Sequence, residues 1–166
     1  MIPIIFSIPI HEKLEVVFDQ IENYRFFNPD CGIVFHFSKE FDYDNSGITR
    51  EEFEEKVKNI GNIFINPTSV RTGWADIIQA HISNFCYVKD QCEFEFFALC
   101  ASNEMFIRAG LYQWIREYDC GTQLGEITEN NEWVQGEMAK KDTALKRMLQ
   151  DIGEKNYRFP SGRNFF

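Results

Sequence analysis

Four short apolar runs, at Ile4–Ile10, Gly32–Phe37, Asn62–Asn66 and Phe94–Cys100, take turns with segments whose apolar residues recur at helical spacing. Leu14, Val17, Phe18 and Ile21 predict a helix near 13–24, broken by Asn28-Pro29-Asp30. Phe53, Val57 and Ile60 predict a second near 50–60, with Gly61 as its stop. Thr72 is the expected N-cap of a third, striped by Trp74, Ile77, Ile78, Ile82 and Phe85. Ile107, Leu111, Trp114, Ile115 and Tyr118 stripe a fourth, and Met138, Leu145, Met148, Leu149 and Ile152 a last one. Residues 120–133 are polar and Gly-bearing and read as a long loop. A strand that returns through an amphipathic helix lies parallel to the strand before it. The expected fold is therefore α/β, a mostly parallel Rossmann-like sheet with helices on both faces. It forms one domain over 1–166, with the α/β core at 4–118 and a loop plus C-terminal helix at 119–166.

Composition narrows the function classes. The chain has 166 residues, 44% of them hydrophobic and 16% aromatic, which suits one domain with a real core and argues against disorder. Its net charge of −9 makes nucleic acid and anionic membrane surfaces poor partners. Glu51, Glu52, Glu54 and Glu55 form a solvated acidic face, while Lys140, Lys141, Lys146, Arg147, Lys155, Arg158 and Arg163 make the last quarter basic. The five cysteines are odd in number and contain no C-x-x-C pair, which fits free thiols in a reducing cytoplasm better than a disulfide framework or a zinc site. The apolar opening lacks a basic flank and holds Pro3 and Pro9, so it does not read as a signal peptide. The expectation is a cytoplasmic protein; a homodimer, and attachment to a membrane through a partner, stay open.

Parallel strands deliver their carboxyl ends to one edge, where α/β proteins place ligand chemistry. Those ends are Pro9-Ile10-His11, His36-Phe37-Ser38, Asn66-Pro67-Thr68 and Ser102-Asn103-Glu104. A histidine there can bond a base, a ribose or a phosphate, or simply cap the strand. Glu104 can accept from sugar hydroxyls, act as a base, or favour the N-terminus of the next helix. His81 reads as packing or surface. Asp42–Phe53 imitates a calcium loop, but Phe53 stands where the bidentate carboxylate belongs, so a solvated turn leading into a helix is the better reading. No G-x-G-x-x-G, P-loop, G-x-S-x-G or H-E-x-x-H occurs.

The order of elements resembles the N-terminal half of the core-2/I-branching N-acetylglucosaminyltransferases and peptide xylosyltransferases. The landmarks are the strand ending at His11, Phe35-His36-Phe37-Ser38, the Asn-bearing strand 62–66, Val70-Arg71-Thr72-Gly73-Trp74-Ala75, and Leu99-Cys100-Ala101-Ser102-Asn103-Glu104-Met105-Phe106. Ser38 replaces an Asp of that pattern, Ala75 a Gly and Glu104 an Asp. The resemblance covers residues 4–118. It implies a GT-A-type nucleotide-sugar-binding half and inverting transfer from a UDP-sugar to a saccharide hydroxyl in surface polysaccharide biosynthesis. It also implies no bound metal and no cofactor beyond the donor. The donor-binding set it implies is His11, His36, Ser38, Trp74, Ser102, Asn103 and Glu104. The base and the cations would come from the C-terminal half, where Glu126, Glu129, Glu132, Glu137, Arg158 and Arg163 stand by composition only; no catalytic residue is assigned. The chain ends where another strand would begin, so a truncated and inactive half is one expectation. A non-catalytic α/β interaction module is the rival reading, and a calcium module on residues 42–53 a weaker one.

Overall fold

In the computed structural model nine elements follow one another among the described residues: β1 (Ile2–Ile10), α1 (Leu14–Phe27), β2 (Gly32–Phe37), α2 (Tyr43–Ser46), α3 (Arg50–Val57), β3 (Ile63–Ile65), α4 (Ile77–Val88), β4 (Phe94–Leu99) and α5 (Leu111–Ile115). The structure describes residues 1–72 and 77–118 together with positions 143 and 147, and of Asp44 the backbone only. The chain divides into two units, Met1–Asp119 and Cys120–Phe166. The loop expected at 120–133, the last helix and Trp74 lie outside the described residues. Among the described residues no helix is long and apolar enough to cross a membrane.

The four strands form one sheet in the order β3-β2-β1-β4. Every pairing is parallel: Ile5 opposes Gly32, Ile33 opposes Ile63, and Ile4 opposes Phe96. The fold is thus the expected α/β, Rossmann-like arrangement. The chain moves outward from β1 to β2 to β3, then crosses back to place β4 on the other side of β1. The point of reversal lies between β1 and β4.

Strand alternation divides the core between two faces. Ile4, Phe6, Ile8 and Ile10 of β1, with Ile33, Phe35 and Phe37 of β2, pack on Leu14, Val17, Ile21 and Tyr24 of α1 and on Phe53 and Val57 of α3. The opposite face presents Ile5 and Val34 to Val88 of α4. Gly32 leaves no room for a side chain beside the neighbouring strand. A Cβ there would lie 2.4 Å from Ile5 Cδ1 and 3.4 Å from the Asn62 carbonyl oxygen. Ile5 is fully buried and has little room to move. Gly32→Ala is expected to cost about 2 kcal/mol through overpacking, read as a lower urea midpoint.

Three local expectations are corrected. First, α3 ends at Val57, and the left-handed residue that follows it is Asn62 (φ 62°), not Gly61. Second, α4 does not bury the stripe Ile77, Ile78, Ile82 and Phe85. It buries Ala80, His81, Asn84 and Val88, leaving Ile78, Ile82 and Phe85 42%, 56% and 42% exposed. The cause is Ser7, a hydroxyl inside an otherwise apolar strand, which draws the polar side of α4 onto the sheet. Asn84 Nδ2 donates to Ser7 Oγ (3.0 Å) and to the Val34 carbonyl (3.2 Å), and His81 Nδ1 lies 2.9 Å from Ser7 Oγ. Burying polar groups is tolerated only when they pair, and here they pair with one another.

Third, the helix expected from Ile107 onward is a five-residue helix, with Ile107 91% exposed and Trp114 and Tyr118 more than half exposed. Asn23 grips Phe106 twice, accepting from its amide (2.7 Å) and donating to its carbonyl (3.1 Å). The Phe106 ring then packs on Phe6 and Tyr24, with centroids 5.4 and 4.7 Å away. The chain leaves this anchor as an irregular bend and re-enters helix only after Gly110, whose φ of 102° suits glycine.

Candidate functional site

A cleft of about 280 Å³ opens at the carboxyl ends of β1 and β2. One wall is the β1–α1 connection, with Ile10, His11, Glu12 and Lys13. The other is the segment after β2, with Ser38, Glu40, Phe41, Asp42, Asn45 and Ser46, and Thr72 joins them from beyond β3. The second wall is ordered from within. Asp42 caps α2 by accepting from the Asn45 amide (3.1 Å), and Ser46 Oγ lies within hydrogen-bond distance of the Tyr43 and Ile48 carbonyls (2.7 and 2.8 Å), its one hydrogen serving either. Gly47 leaves α2 in the left-handed region (φ 80°). Thr49 and Glu52 then form a reciprocal capping box that starts α3. The turn that resembled a calcium loop is therefore a short capped helix whose N-cap, Asp42, lines the cleft.

The segment at Val70–Thr72 is strapped to the end of β2. Lys39 N donates to the Val70 carbonyl (3.2 Å) and Thr72 N donates to Ser38 Oγ (3.3 Å). His36 Nε2 lies 3.2 Å from the Val70 amide nitrogen. Arg71 pairs with Glu40 at 3.1 Å on the surface, a link of little energetic weight. His36 is wholly buried and does not line the cleft; it sits behind the wall and holds it in place. Its pKa is lowered, first by burial and then by Arg50 and His11, against the Val70 backbone, so the ring is neutral.

Of the residues expected at the ligand edge, His11 and Ser38 share the cleft. Ser102 reaches His11 from the turn after β4, its hydroxyl accepting from the His11 amide at 3.1 Å. This bond closes the point of reversal between β1 and β4. Glu104 turns inward, where its carboxylate accepts from the Ala101 amide (3.1 Å). Gln20 of α1 fastens the same turn by donating to the Ala101 and Glu104 carbonyls (2.7 and 3.0 Å). Asn103 is exposed at the tip of the turn. The 102–104 turn thus braces the β1 end and does not itself line the cleft. Burial pushes the Cys100 thiol beside it up to about 12.

The first wall carries the other electrostatic feature. α1 begins at Leu14 behind an N-cap residue, Lys13, that makes no side-chain cap. The N-terminal amides of α1 carry partial positive charge beside Lys13, with Glu12 on the same wall and Glu15 in the first turn of the helix. The His11 side chain reaches solvent, yet the crowded strand end lowers its pKa, opposed by Glu12.

His81 is the buried histidine that sequence reasoning left as packing or surface. With Ser7, Asn84 and Asn66 it forms a chain of hydrogen bonds: Asn66 Nδ2 donates to Asn84 Oδ1 (3.0 Å) and to Ser83 Oγ (2.9 Å), and Asn66 Oδ1 accepts from the Thr68 amide (2.9 Å). A lone polar residue inside an apolar strand, Ser7, is the signal that points to it. Lys13 and Phe41 were not singled out as ligand-facing, and Asp42 only as the first position of the calcium-like loop. Their position just past a strand end was the only available sign.

No protein-family model matches this chain, and no curated protein matches it.

Proposed function

We propose that residues 4–118 are the donor-binding half of an inverting glycosyltransferase that takes a UDP-sugar. The observation that carries the reading is the cleft at the ends of β1 and β2, beneath the uncapped N-terminus of α1. Nucleotides bind where parallel strands end and a helix begins, because backbone amides and the helix dipole meet the phosphates there. In transfer, charge grows on the departing nucleoside diphosphate, and the α1 terminus with Lys13 would offset part of it. An acceptor hydroxyl must lose its proton to a carboxylate as it attacks the anomeric carbon. The carboxylates and arginines considered for those roles at 126–137, 158 and 163 lie outside the described residues. The setting in surface-polysaccharide assembly rests on the resemblance alone.

The test is thermal melting with a panel of UDP- and other nucleotide-sugars at millimolar concentration. At tenfold the dissociation constant the matching donor is expected to raise Tm by about 5 °C. Flat curves across the whole panel overturn the reading.

A non-catalytic interaction module is the second reading, favoured by the exposed Ile78, Ile82 and Phe85 on one side of α4. It requires self-association or partner capture that Ile82→Glu abolishes. A chain that stays monomeric and unbound removes it.

A further inference from the structure

We infer that the outer side of α4 is a self-association face, on which two copies of the chain pack their α4 helices antiparallel about a two-fold axis at Ile82. The inference is independent of what the cleft binds.

The face is defined by position along the helix. Ile78, Gln79, Ile82, Phe85, Cys86 and Lys89 are exposed and recur at helical spacing, so they form one stripe. The stripe points outward because Ser7 holds His81 and Asn84 against the sheet. Phe85 does not fold back out of water. Its ring is met edge-on by Phe94 at 6.0 Å and by Phe97 at 5.2 Å, which fixes it at the surface. A contiguous apolar surface held in this way marks a contact site.

Two observations select a second copy as the occupant. The first is charge. From Ile77 to Val88 the helix holds no Asp, Glu, Lys or Arg, in a chain whose net charge is −9. Copies of like charge repel over most of their surfaces and approach where charge is missing. The second is the order of the side chains. About Ile82 the stripe is symmetric in position, with members three and four places away on both sides. An antiparallel axis at Ile82 therefore sets Ile78 opposite the partner's Cys86, and Phe85 opposite the partner's Gln79. Each bulky group meets a slender one, which is what ridges and grooves related by a two-fold require. Ile82 meets its own copy at the centre. The same axis holds the two Lys89 groups about 21 Å apart along the helices, beyond the reach of their repulsion. A parallel pair would bring them together.

A contact built on one helix about 18 Å long is small, so the dimer is expected to be transient, with a dissociation constant on the order of 10 µM. The experiment is sedimentation velocity of the full chain from 1 to about 200 µM, bracketing that constant. Wild type should pass from monomer to dimer and stop there, because a two-fold contact closes. Ile82→Glu places two carboxylates at the axis and should weaken association at least tenfold, to monomer at about 200 µM. Ile82 is exposed, so this variant should keep the urea midpoint of wild type. Ile107→Glu removes a still more exposed apolar group outside α4 and should dimerise as wild type does. The two Cys86 residues would stand about 15 Å apart, so a bismaleimide of about that reach should join two wild-type copies. Cys86→Ser and Ile82→Glu should each abolish that cross-link. A wild-type chain that stays monomeric overturns the inference and leaves the face to a different partner. Growth beyond a dimer, a dimer that Ile82→Glu leaves intact, or a cross-link that survives Cys86→Ser also overturns it.

Discussion

Phe53→Ala is expected to cost about 4 kcal/mol, the upper part of the range for emptying an aromatic site in a core. Phe53 is fully buried at the centre of the α3 face. Its ring meets Phe18 of α1 at 5.3 Å, Phe35 at 5.6 Å and Phe37 at 5.5 Å, so it ties two helices to the sheet. Removing it leaves a void bounded by rings that are themselves pinned. Phe37, for example, is held against Phe41 and Tyr43. Phe53→Leu keeps most of the volume and should cost only about 1–2 kcal/mol. Urea unfolding checks both: the midpoint falls in that order while the slope stays constant. A loss below about 1 kcal/mol for Phe53→Ala would contradict a core centred on this ring.

Acidification should expose the second large effect. Burial holds the His81 pKa down at about 4, with His36 and His11 adding to the fall, against an ordinary value of 6.5. The folded state therefore keeps this ring neutral, whereas the unfolded chain takes up a proton once the pH drops below 6.5. Stability is at its full value above that point and declines as the pH falls toward 4, where the loss levels off. A shift of this size corresponds to about 3 kcal/mol lost across the window. The titratable groups facing His81 are two other histidines, His36 and His11, whose protonation at low pH deepens the loss, and its hydrogen-bond partner Ser7 is neutral. The measurement is urea unfolding at stepped pH for wild type and His81→Gln. The variant should be less stable at neutral pH and show a much flatter acid limb. An unchanged limb would mean that His81 is not the group that titrates.

Both expectations bear on the cleft. Phe53 supports Phe37, and Phe37 supports the ring of Phe41 on the second wall. The network of Ser7, His81, Asn84 and Asn66 ends at Thr68, just before the segment that brings Thr72 to Ser38. The walls are thus extensions of two buried clusters, one aromatic and one polar.

By itself the sequence determined the kind and order of elements. Apolar runs bounded by Pro and Gly, and helical stripes between them, are local periodicities, so a mostly parallel sheet, with the strand ends at His11 and Ser38 on one edge, was legible. What tertiary structure alone decided were contacts between residues far apart in the chain. Ser7 and His81 set which side of α4 faces the sheet, against its own apolar stripe. Ser102 and His11 closed one gap between strands, and Ser38 with Thr72 framed another. Hydropathy along the chain records how much apolar area a segment can bury. It does not record which distant polar group will offer a partner, and a buried polar group settles wherever its hydrogen bonds can be made.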